Sequence, residues 1–351
     1  MATAIRGPML SVSPTSTIAN RMRMNAPKDE RTDGQDEGAL PAHATPLPTR
    51  FLATPHGSWY DVSVARHSES TTKTYLYLRV GLVALALFLG ASLVIELAFG
   101  DTEWLGSISA YYYTPVRSVF VGTLCAMGVC LIAIKGRDKP HEDLMLNLAG
   151  MCAPVVALCP TPLEDSAACG GATRCVPDSF VPGVVNNVEA LIVVGVVGVL
   201  FAARTVRRDT RERADLVALG VAAGGLVAFA LWFAFGRGSF LDYAHYGTAV
   251  PMFGLIVAVA LVNAAKVEDF VAGGGTLTMG HAETFKRAYR GIAYFMGVVI
   301  GGALALFVVK ATTGSQPFAH WVFVVEALLL AAFTAFWILQ TLQYAEDGAP
   351  D

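Results

Sequence analysis

The chain has 351 residues, of which 54% are hydrophobic and 15% are charged, and its mean hydropathy is +0.52. A soluble globular domain has about 25% charged residues. The composition therefore argues against a soluble enzyme, a nucleic-acid-binding protein or a disordered chain, and it indicates an integral membrane protein. The formal net charge of −3 points to no nucleic-acid or acidic partner.

The first 73 residues differ in composition from the rest of the chain. Residues 1–73 hold 7 of the 17 prolines and have no long apolar run. Such a segment cannot bury enough apolar surface to offset its ordering entropy, and it lacks the continuous apolar region of a signal peptide. The sequence predicts a disordered cytoplasmic tail over residues 1–73. A partner protein could bind this tail.

The remaining chain is rich in long apolar segments. A bilayer core of about 30 Å requires about 20 apolar residues in a helix. Eight segments approach that length and predict an all-α, polytopic helical membrane bundle over residues 74–342, followed by a short cytoplasmic tail over residues 343–351. The third segment is the weakest, because it carries Asp143, Asn147 and Pro154. The predicted spans are Tyr75–Phe99, Val116–Ile134, Asp143–Cys159, Val184–Ala203, Asp215–Phe235, Gly247–Ala265, Gly291–Val309 and Trp321–Leu342.

The basic residues predict an orientation. With the N-terminus in the cytoplasm, the cytoplasmic loops hold twelve Lys and Arg, and the outer loops and span ends hold four. Cytoplasmic loops of membrane proteins carry an excess of these residues. The sequence therefore predicts a multi-pass protein of the bacterial plasma membrane with both termini in the cytoplasm.

Two cysteines lie in the predicted outer loop between the third and fourth spans. Cys169 and Cys175 are close in sequence and lie in an oxidising compartment, which favours a disulfide between them. Cys159, at the end of the third span, is the competing partner. The spacing has neither the CxxC pairs nor the neighbouring histidines of a zinc site.

Several polar side chains fall within or beside the predicted spans. Ionisable groups in a bilayer are costly and mark functional sites by default. They lie in the predicted outer half, whereas the predicted inner half holds only Arg79 near its edge and no deeper charge. The candidate ligand-binding residues are Glu326, Arg117, His245, Glu96, Glu189, Ser109 and Tyr113.

Structural interpretations of these residues stay open beside the functional one. Glu326 lies within an apolar run. Its structural alternative is to form a buried hydrogen bond with Arg117 or with a tyrosine hydroxyl. His245 and His320 lie at span ends, where an imidazole is ordinarily hydrated. Glu96 and Glu189 lie near span ends and can extend toward the interface.

Other motifs point to packing and not to chemistry. Small-xxx-small spacings let membrane helices approach closely, and they occur at Gly220, Gly224, Gly225, Gly297, Gly301 and Gly302. The chain has no Walker pattern, no His-Glu-x-x-His and no Gly-x-Ser-x-Gly motif. The sequence therefore predicts no catalytic residue, no metal site and no cofactor.

One block carries a resemblance to a known family. The segment Ser107-Ile-Ser-Ala-Tyr-Tyr-Tyr-Thr-Pro-Val-Arg117, with Leu146–Gly150 and Val156–Thr161, resembles a family of uncharacterised bacterial multi-pass membrane proteins. The segments around His245, Arg290–Tyr294 and Val322–Leu328 are similar to the same family. More distantly, the layout resembles membrane proteins of the damage-regulated autophagy modulator type.

The chain departs from that family at three points. It has Ser118 where the relatives have Asp, and Tyr113 where they often have His. The relatives have six spans, so the hairpin of the fourth and fifth spans resembles an insertion.

Three functions are compatible with these features. The first is a non-enzymatic membrane protein that contacts membrane lipids and binds or moves a small or lipidic ligand through its outer half. The second is an accessory or scaffold subunit whose tail binds a partner. The third is an intramembrane zinc-dependent lipid hydrolase, similar to the alkaline ceramidase and adiponectin-receptor superfamily. Its Ser-x3-His motif would correspond to Ser109 and Tyr113, with His245, His320 and a carboxylate as zinc ligands.

Overall fold

The computed structural model describes residues 59–136, 141–164, 167–208, 213–272, 279–315 and 318–347. These residues form eight α-helices, two short 3-10 helices and one two-stranded sheet, which confirms the all-α helical class. The helices are α1 (Trp59–Phe99), α2 (Arg117–Ala133), α3 (His141–Leu158), α4 (Val181–Arg208), α5 (Arg213–Phe235), α6 (Arg237–Ala272), α7 (Met279–Thr313) and α8 (Trp321–Asp347).

Six of the described helices are long and apolar enough to cross a membrane, which supports an integral membrane protein. They are α1 and α4 to α8. Helix α2 is apolar but has 17 residues. Helix α3 has 18 residues and carries Glu142 and Asp143 in its first turn, and it is not among the six.

Helix α1 begins earlier than the sequence predicts. It starts at Trp59, so residues 59–73, assigned above to a disordered tail, are helical. No Gly or Pro lies between Ser58 and Gly81, and a helix that is already nucleated extends readily through such residues. Helix α8 likewise continues to Asp347, beyond its predicted end at Leu342. The other parts of the two predicted tails, residues 1–58 and 348–351, lie outside the described residues.

Helices α2 and α3 cross through a pair of glycines. A Cβ on Gly128 would lie 2.7 Å from the carbonyl oxygen of Gly150, and a Cβ on Gly150 would lie 2.6 Å from that of Gly128. Only glycine permits this approach. The six glycines that the sequence assigned to helix packing show no such approach in the described chain, because a Cβ at each would meet no described atom within 4 Å. These are Gly220, Gly224, Gly225, Gly297, Gly301 and Gly302.

The polar third helix is shielded from the surface of the bundle. Helix α3 packs against α2 and α6, and its buried residues include Leu146, Ala149, Ala153 and Val156. Polar residues of membrane helices are tolerated where they face the interior of the bundle. This position is compatible with the two acidic residues in its first turn, Glu142 and Asp143.

Helices α4 and α5 form a hairpin at the edge of the bundle. In α5 only Phe233 is buried among the described residues. The hairpin meets α3 and α6 through a second apolar cluster, separate from the main core. That cluster consists of Val155, Cys159, Val184, Val188, Phe233, Phe240 and Ala244.

The segment between α3 and α4 carries the disulfide. Strands β1 (Leu163–Glu164) and β2 (Arg174–Cys175) pair in an antiparallel ladder. Cys169 and Cys175 form a disulfide with their Cα atoms 5.5 Å apart. Of the two pairings left open by the sequence, the structure contains the Cys169 pairing with Cys175, and Cys159 is a buried free cysteine. The end of the bundle that holds this segment is called the disulfide end below.

Candidate functional site

The loop between α1 and α2, residues 100–116, folds over the first turns of α8. The first N–H groups of a helix have no partner within the helix. The Gly106 carbonyl accepts the Phe323 N–H at 2.9 Å. His320 places Nδ1 3.2 Å from the Leu105 carbonyl oxygen and stacks on Trp104 with ring centroids 4.7 Å apart. The loop thus completes the start of α8.

Glu326 binds the same loop one turn farther along α8. Its Oε2 accepts the N–H groups of Ile108 at 2.5 Å and Ser109 at 3.2 Å, and its Oε1 accepts the Ser109 hydroxyl at 2.8 Å. Ser109 begins a 3-10 helix, Ser109–Tyr113, whose first N–H groups need an external acceptor. The predicted partners of Glu326, Arg117 or a tyrosine hydroxyl, are therefore wrong.

His245 lies beside Glu326 in the protein interior. Its Nδ1 lies 3.1 Å from the Val156 carbonyl oxygen and 2.9 Å from that of Cys159, at the end of α3. Its Nε2 lies 3.9 Å from Oε1 of Glu326. The residue is 2% exposed, so the interpretation of His245 as a hydrated span-end residue is wrong. Burial follows from the position of α6, whose first turns pack against the end of α3.

A cavity of about 930 Å³ reaches these polar groups. It lies mainly among α6, α7 and α8, and Glu326, His245, Ser109 and Tyr246 all line it. Most of the remaining lining is apolar and includes Ile300, Ala303, Leu304, Phe307, Val325 and Leu329. The arrangement is a largely apolar chamber with a cluster of polar groups at the disulfide end.

Charged side chains also line the cavity at that end. Lys310 Nζ lies 2.7 Å and 2.6 Å from the two carboxylate oxygens of Glu164, so this pair is mutually neutralised. Arg174 donates from Nη2 to the Asp242 carbonyl at 2.8 Å. Its Nε is buried and has no hydrogen-bond partner among the described residues.

Tyr246 and Thr161 join two elements of the site. The Tyr246 hydroxyl is hydrogen-bonded to the Thr161 hydroxyl, and the Thr161 carbonyl accepts the Tyr113 hydroxyl at 3.0 Å. Burial raises the pKa of the Tyr113 phenol above its ordinary value, so Tyr113 remains a hydrogen-bond donor. Sequence reasoning missed Tyr246, which directly follows the candidate His245.

The structure brings three of the seven predicted site residues together at the cavity, namely Glu326, His245 and Ser109. The other four lie elsewhere, and Tyr113 is described above. Arg117 lies over the Tyr112 ring, 4.4 Å from its centroid, and donates to the Tyr112 hydroxyl at 2.9 Å.

The two remaining acidic residues are also outside the cavity. Glu96 accepts a hydrogen bond from the Thr102 hydroxyl at the end of α1. Glu189 is exposed on α4. Sequence alone does not determine which face of a helix meets the cavity.

The structure does not bring the zinc ligands suggested by the hydrolase hypothesis together. The described part of the chain holds no group of three or more His, Cys, Asp or Glu side chains that could hold a metal ion. His320 contacts Trp104 and Leu105, and His245 contacts the end of α3.

A second polar cluster lies at the opposite end of the bundle. Arg79 Nε donates to the Gln340 side-chain oxygen at 3.1 Å, and Gln340 Nε2 donates to the Asn263 side-chain oxygen at 3.0 Å. Asn263 Nδ2 then donates to Glu142 Oε1 at 2.7 Å. Each of the four residues is at most 4% exposed. The sequence predicted Arg79 near the edge of this half and no deeper charge; the structure adds Glu142, which is buried in the protein but lies in the first turn of α3 and so also near a helix end.

The chain from Arg79 to Glu142 joins α1, α8, α6 and α3. Gln340 is 14 residues from Glu326 on α8, which corresponds to about 21 Å along a helix. The two polar clusters are thus separate. The sequence pattern of ionisable residues does not reveal this cluster, because two of its four members are uncharged amides. The sequence does indicate a polar cluster here, because Gln340 and Gln343 lie on one face of an otherwise apolar helix.

No family model, no curated protein and no solved structure matches the chain in the comparisons. The function is therefore argued from the geometry of the cavity and its polar groups.

Proposed function

We propose that this integral membrane protein binds an amphipathic, lipid-like ligand in the cavity among α6, α7 and α8. The observation that carries the proposal is the joint presence of Glu326, His245 and Ser109 at one end of a largely apolar cavity. Small-molecule sites typically combine an apolar lining with a few convergent polar groups. The apolar part would hold the hydrocarbon chain and the polar end would hold the head group.

The dimensions of the cavity fit such a ligand. Its volume of about 930 Å³ lies within the range of small-molecule sites, about 300–1,000 Å³. Along α7 the lining runs from Ile300 to Lys310, which corresponds to about 15 Å of helix. That depth is about half of a bilayer core of about 30 Å. A single hydrocarbon chain that enters from one leaflet would therefore fit.

In this proposal all eight helices cross the membrane. Helix α3 contacts His245 at one end through Val156 and Cys159, and it contacts Asn263 at the other end through Glu142. Helix α3 therefore extends between the same two ends as α6, a candidate span. Helix α2 runs from Arg117, near Tyr112, to the segment at Gly136, whose N–H binds Asp143 at the start of α3.

The orientation completes the proposal. The excess of Lys and Arg in alternate loops favours both termini in the cytoplasm and the disulfide end outside. The disulfide supports this orientation, because disulfides persist in oxidising compartments. The ligand site then belongs to the outer half of the bacterial plasma membrane.

A pair of alanines on α7 provides the test. Ala303 is half-buried and lines the cavity, whereas Ala305 is exposed and does not. Ala303→Trp should fill the cavity, and Ala305→Trp adds the same side chain on another face of the same helix. Lipid-like molecules extracted from the purified proteins would be identified by mass spectrometry.

We expect a specific lipid-like species to copurify with the wild-type protein and with Ala305→Trp, and to be depleted from Ala303→Trp. An identical set of extracted molecules from all three proteins would contradict the proposal. Thermal unfolding in detergent checks that both variants are folded before the comparison is made.

A further inference from the structure

We infer that the head group of this ligand is a hydrogen-bond donor, an amine or a hydroxyl, held between Glu326 Oε1 and His245 Nε2. The inference rests on the proposed function and names the chemical class that the cavity would select. It follows from the number of hydrogen bonds that each of the two side chains still has to make.

Within the described part of the chain, Glu326 has one acceptor position left. A carboxylate has about four lone-pair positions on its two oxygens. Oε2 accepts two N–H groups, from Ile108 and Ser109, and Oε1 accepts the Ser109 hydroxyl. The remaining position on Oε1 belongs to a group that lines the cavity, and it can be filled only by a donor.

His245 also presents an acceptor. Both neighbours of its Nδ1 are carbonyl oxygens, of Val156 and Cys159. A carbonyl cannot donate, so Nδ1 carries the ring proton. In the neutral imidazole Nε2 then has a lone pair. This atom lies 3.9 Å from Glu326 Oε1, and both His245 and Glu326 line the cavity.

The distance between the two acceptors matches one shared donor. Oε1 and Nε2 are 3.9 Å apart, which is too long for a direct hydrogen bond. A nitrogen or oxygen atom placed beside both can lie at about 2.7–3.2 Å from each. An ammonium group has three N–H donors and can bind both acceptors, whereas a hydroxyl has one. The geometry therefore favours an amine over an alcohol.

An anionic head group is disfavoured at this position. It would lie beside the Glu326 carboxylate, and like charges at short distance repel. Lys310 is held by both oxygens of Glu164. The competing site for an anion is Arg174 Nε, a buried donor without a partner among the described residues. Binding of an anion there is the main alternative outcome of the test.

Three probes with the same hydrocarbon chain separate these classes, namely dodecylamine, dodecanol and laurate. Their dissociation constants would be measured by titration of the purified full-length protein in detergent at neutral pH. We expect dodecylamine to bind about tenfold more tightly than laurate, since hydrogen bonds between charged groups are the stronger ones. Dodecanol should bind with intermediate affinity.

Two variants test the assignment of the head group. Glu326→Gln removes the charge, and His245→Asn retains an N–H that can donate to the α3 carbonyls while it removes the Nε2 acceptor. Each should lower the preference for dodecylamine over laurate to about threefold or less. Glu326→Gln replaces a charged acceptor with a neutral one, which binds about half as strongly, and His245→Asn removes one of the two acceptors of the ammonium group. The control Glu189→Gln, on the exposed face of α4, should leave the preference unchanged.

The outcomes distinguish the head-group inference from the proposed function. If no probe binds, or if Ala303→Trp binds all three as the wild type does, the proposed function fails. If the probes bind and Ala303→Trp blocks them, but laurate binds most tightly, the head-group inference fails and the function stands. An unchanged preference in both Glu326→Gln and His245→Asn would also overturn it. If either variant does not fold, the order of the three probes on the wild type still decides.

Discussion

Ser109 donates both its backbone N–H and its hydroxyl to Glu326, a carboxylate 217 residues later in the chain. The contact attaches the loop between α1 and α2 to the last helix of the bundle. The same carboxylate lines the cavity. A ligand that binds Glu326 would therefore also act on the position of this loop.

Replacement of Glu326 should destabilise the protein, and the loss should grow with the number of carboxylate oxygens that the variant lacks. Glu326→Leu leaves the N–H groups of Ile108 and Ser109 without their acceptor. An unsatisfied buried polar group costs about 1–3 kcal/mol. We expect the free energy of unfolding in mixed micelles to fall by about 2–4 kcal/mol in Glu326→Leu, and by less than half of that in Glu326→Gln, which retains one oxygen.

The matched control is Glu189→Leu, since Glu189 is exposed on α4. Surface substitutions ordinarily change stability by less than about 0.5 kcal/mol. A Glu326→Leu protein as stable as Glu189→Leu would show that the carboxylate does not anchor the loop.

The buried polar chain at the opposite end should act as a coupled unit. Asn263 and Gln340 share a hydrogen bond of 3.0 Å, and each binds a charged residue, Glu142 or Arg79. A double-mutant cycle with Asn263→Ala and Gln340→Ala should give a coupling free energy of about 0.5–3 kcal/mol.

A distant pair supplies the reference for that cycle. Asn263→Ala combined with a substitution of Thr205, which is exposed on α4, should be additive within about 0.5 kcal/mol. Equal coupling in the two cycles would mean that the hydrogen-bonded chain does not contribute to stability as a unit.

Peptide mapping of non-reduced protein should find Cys169 linked to Cys175. The structure joins these two residues and leaves Cys159 free and buried. Replacing both linked cysteines with Ser should lower stability by at most about 2–3 kcal/mol, because the closed loop is short. A peptide that contains Cys159 linked to either residue would contradict this pairing.

Single cysteines near the two ends of α7 should be labelled from opposite sides of the membrane. Gly280 and Thr312 are both exposed, in a helix of 35 residues. In a background without other cysteines, a membrane-impermeant thiol reagent should label Thr312→Cys from outside and Gly280→Cys only from the cytoplasm. Labelling of both from one side would show that α7 does not cross, and reversed labelling would overturn the orientation.

The sequence predicted the helices better than their ends. Apolar runs identify the part of a helix that lies in the bilayer, and all eight predicted spans correspond to helices. Helix α6 spans Arg237–Ala272, far beyond the predicted Gly247–Ala265. Polar residues outside the hydrocarbon region do not interrupt the hydrogen bonds of a helix, so hydropathy alone cannot place its ends.

The sequence predicted only part of the candidate site, and the reason is different from the one for the helix ends. Glu326 and His245 stand out in sequence because ionisable groups are rare in spans. Their main partners are backbone groups of Ile108, Ser109, Val156 and Cys159, and backbone donors and acceptors are present at nearly every residue. Which of them a side chain meets is fixed by tertiary packing.

The contact between Arg79 and Gln340 has a consequence for synthesis. The two residues are 261 positions apart, and a ribosome adds about 5–20 residues each second. About 10–50 s therefore separate the emergence of Arg79 from that of its partner. The guanidinium of the first helix also lies 3.6 Å from the ring centroid of Tyr344, which emerges later still. A nascent chain that stops before α8 carries Arg79 without either contact, and this distinguishes an unfinished protein from a complete one.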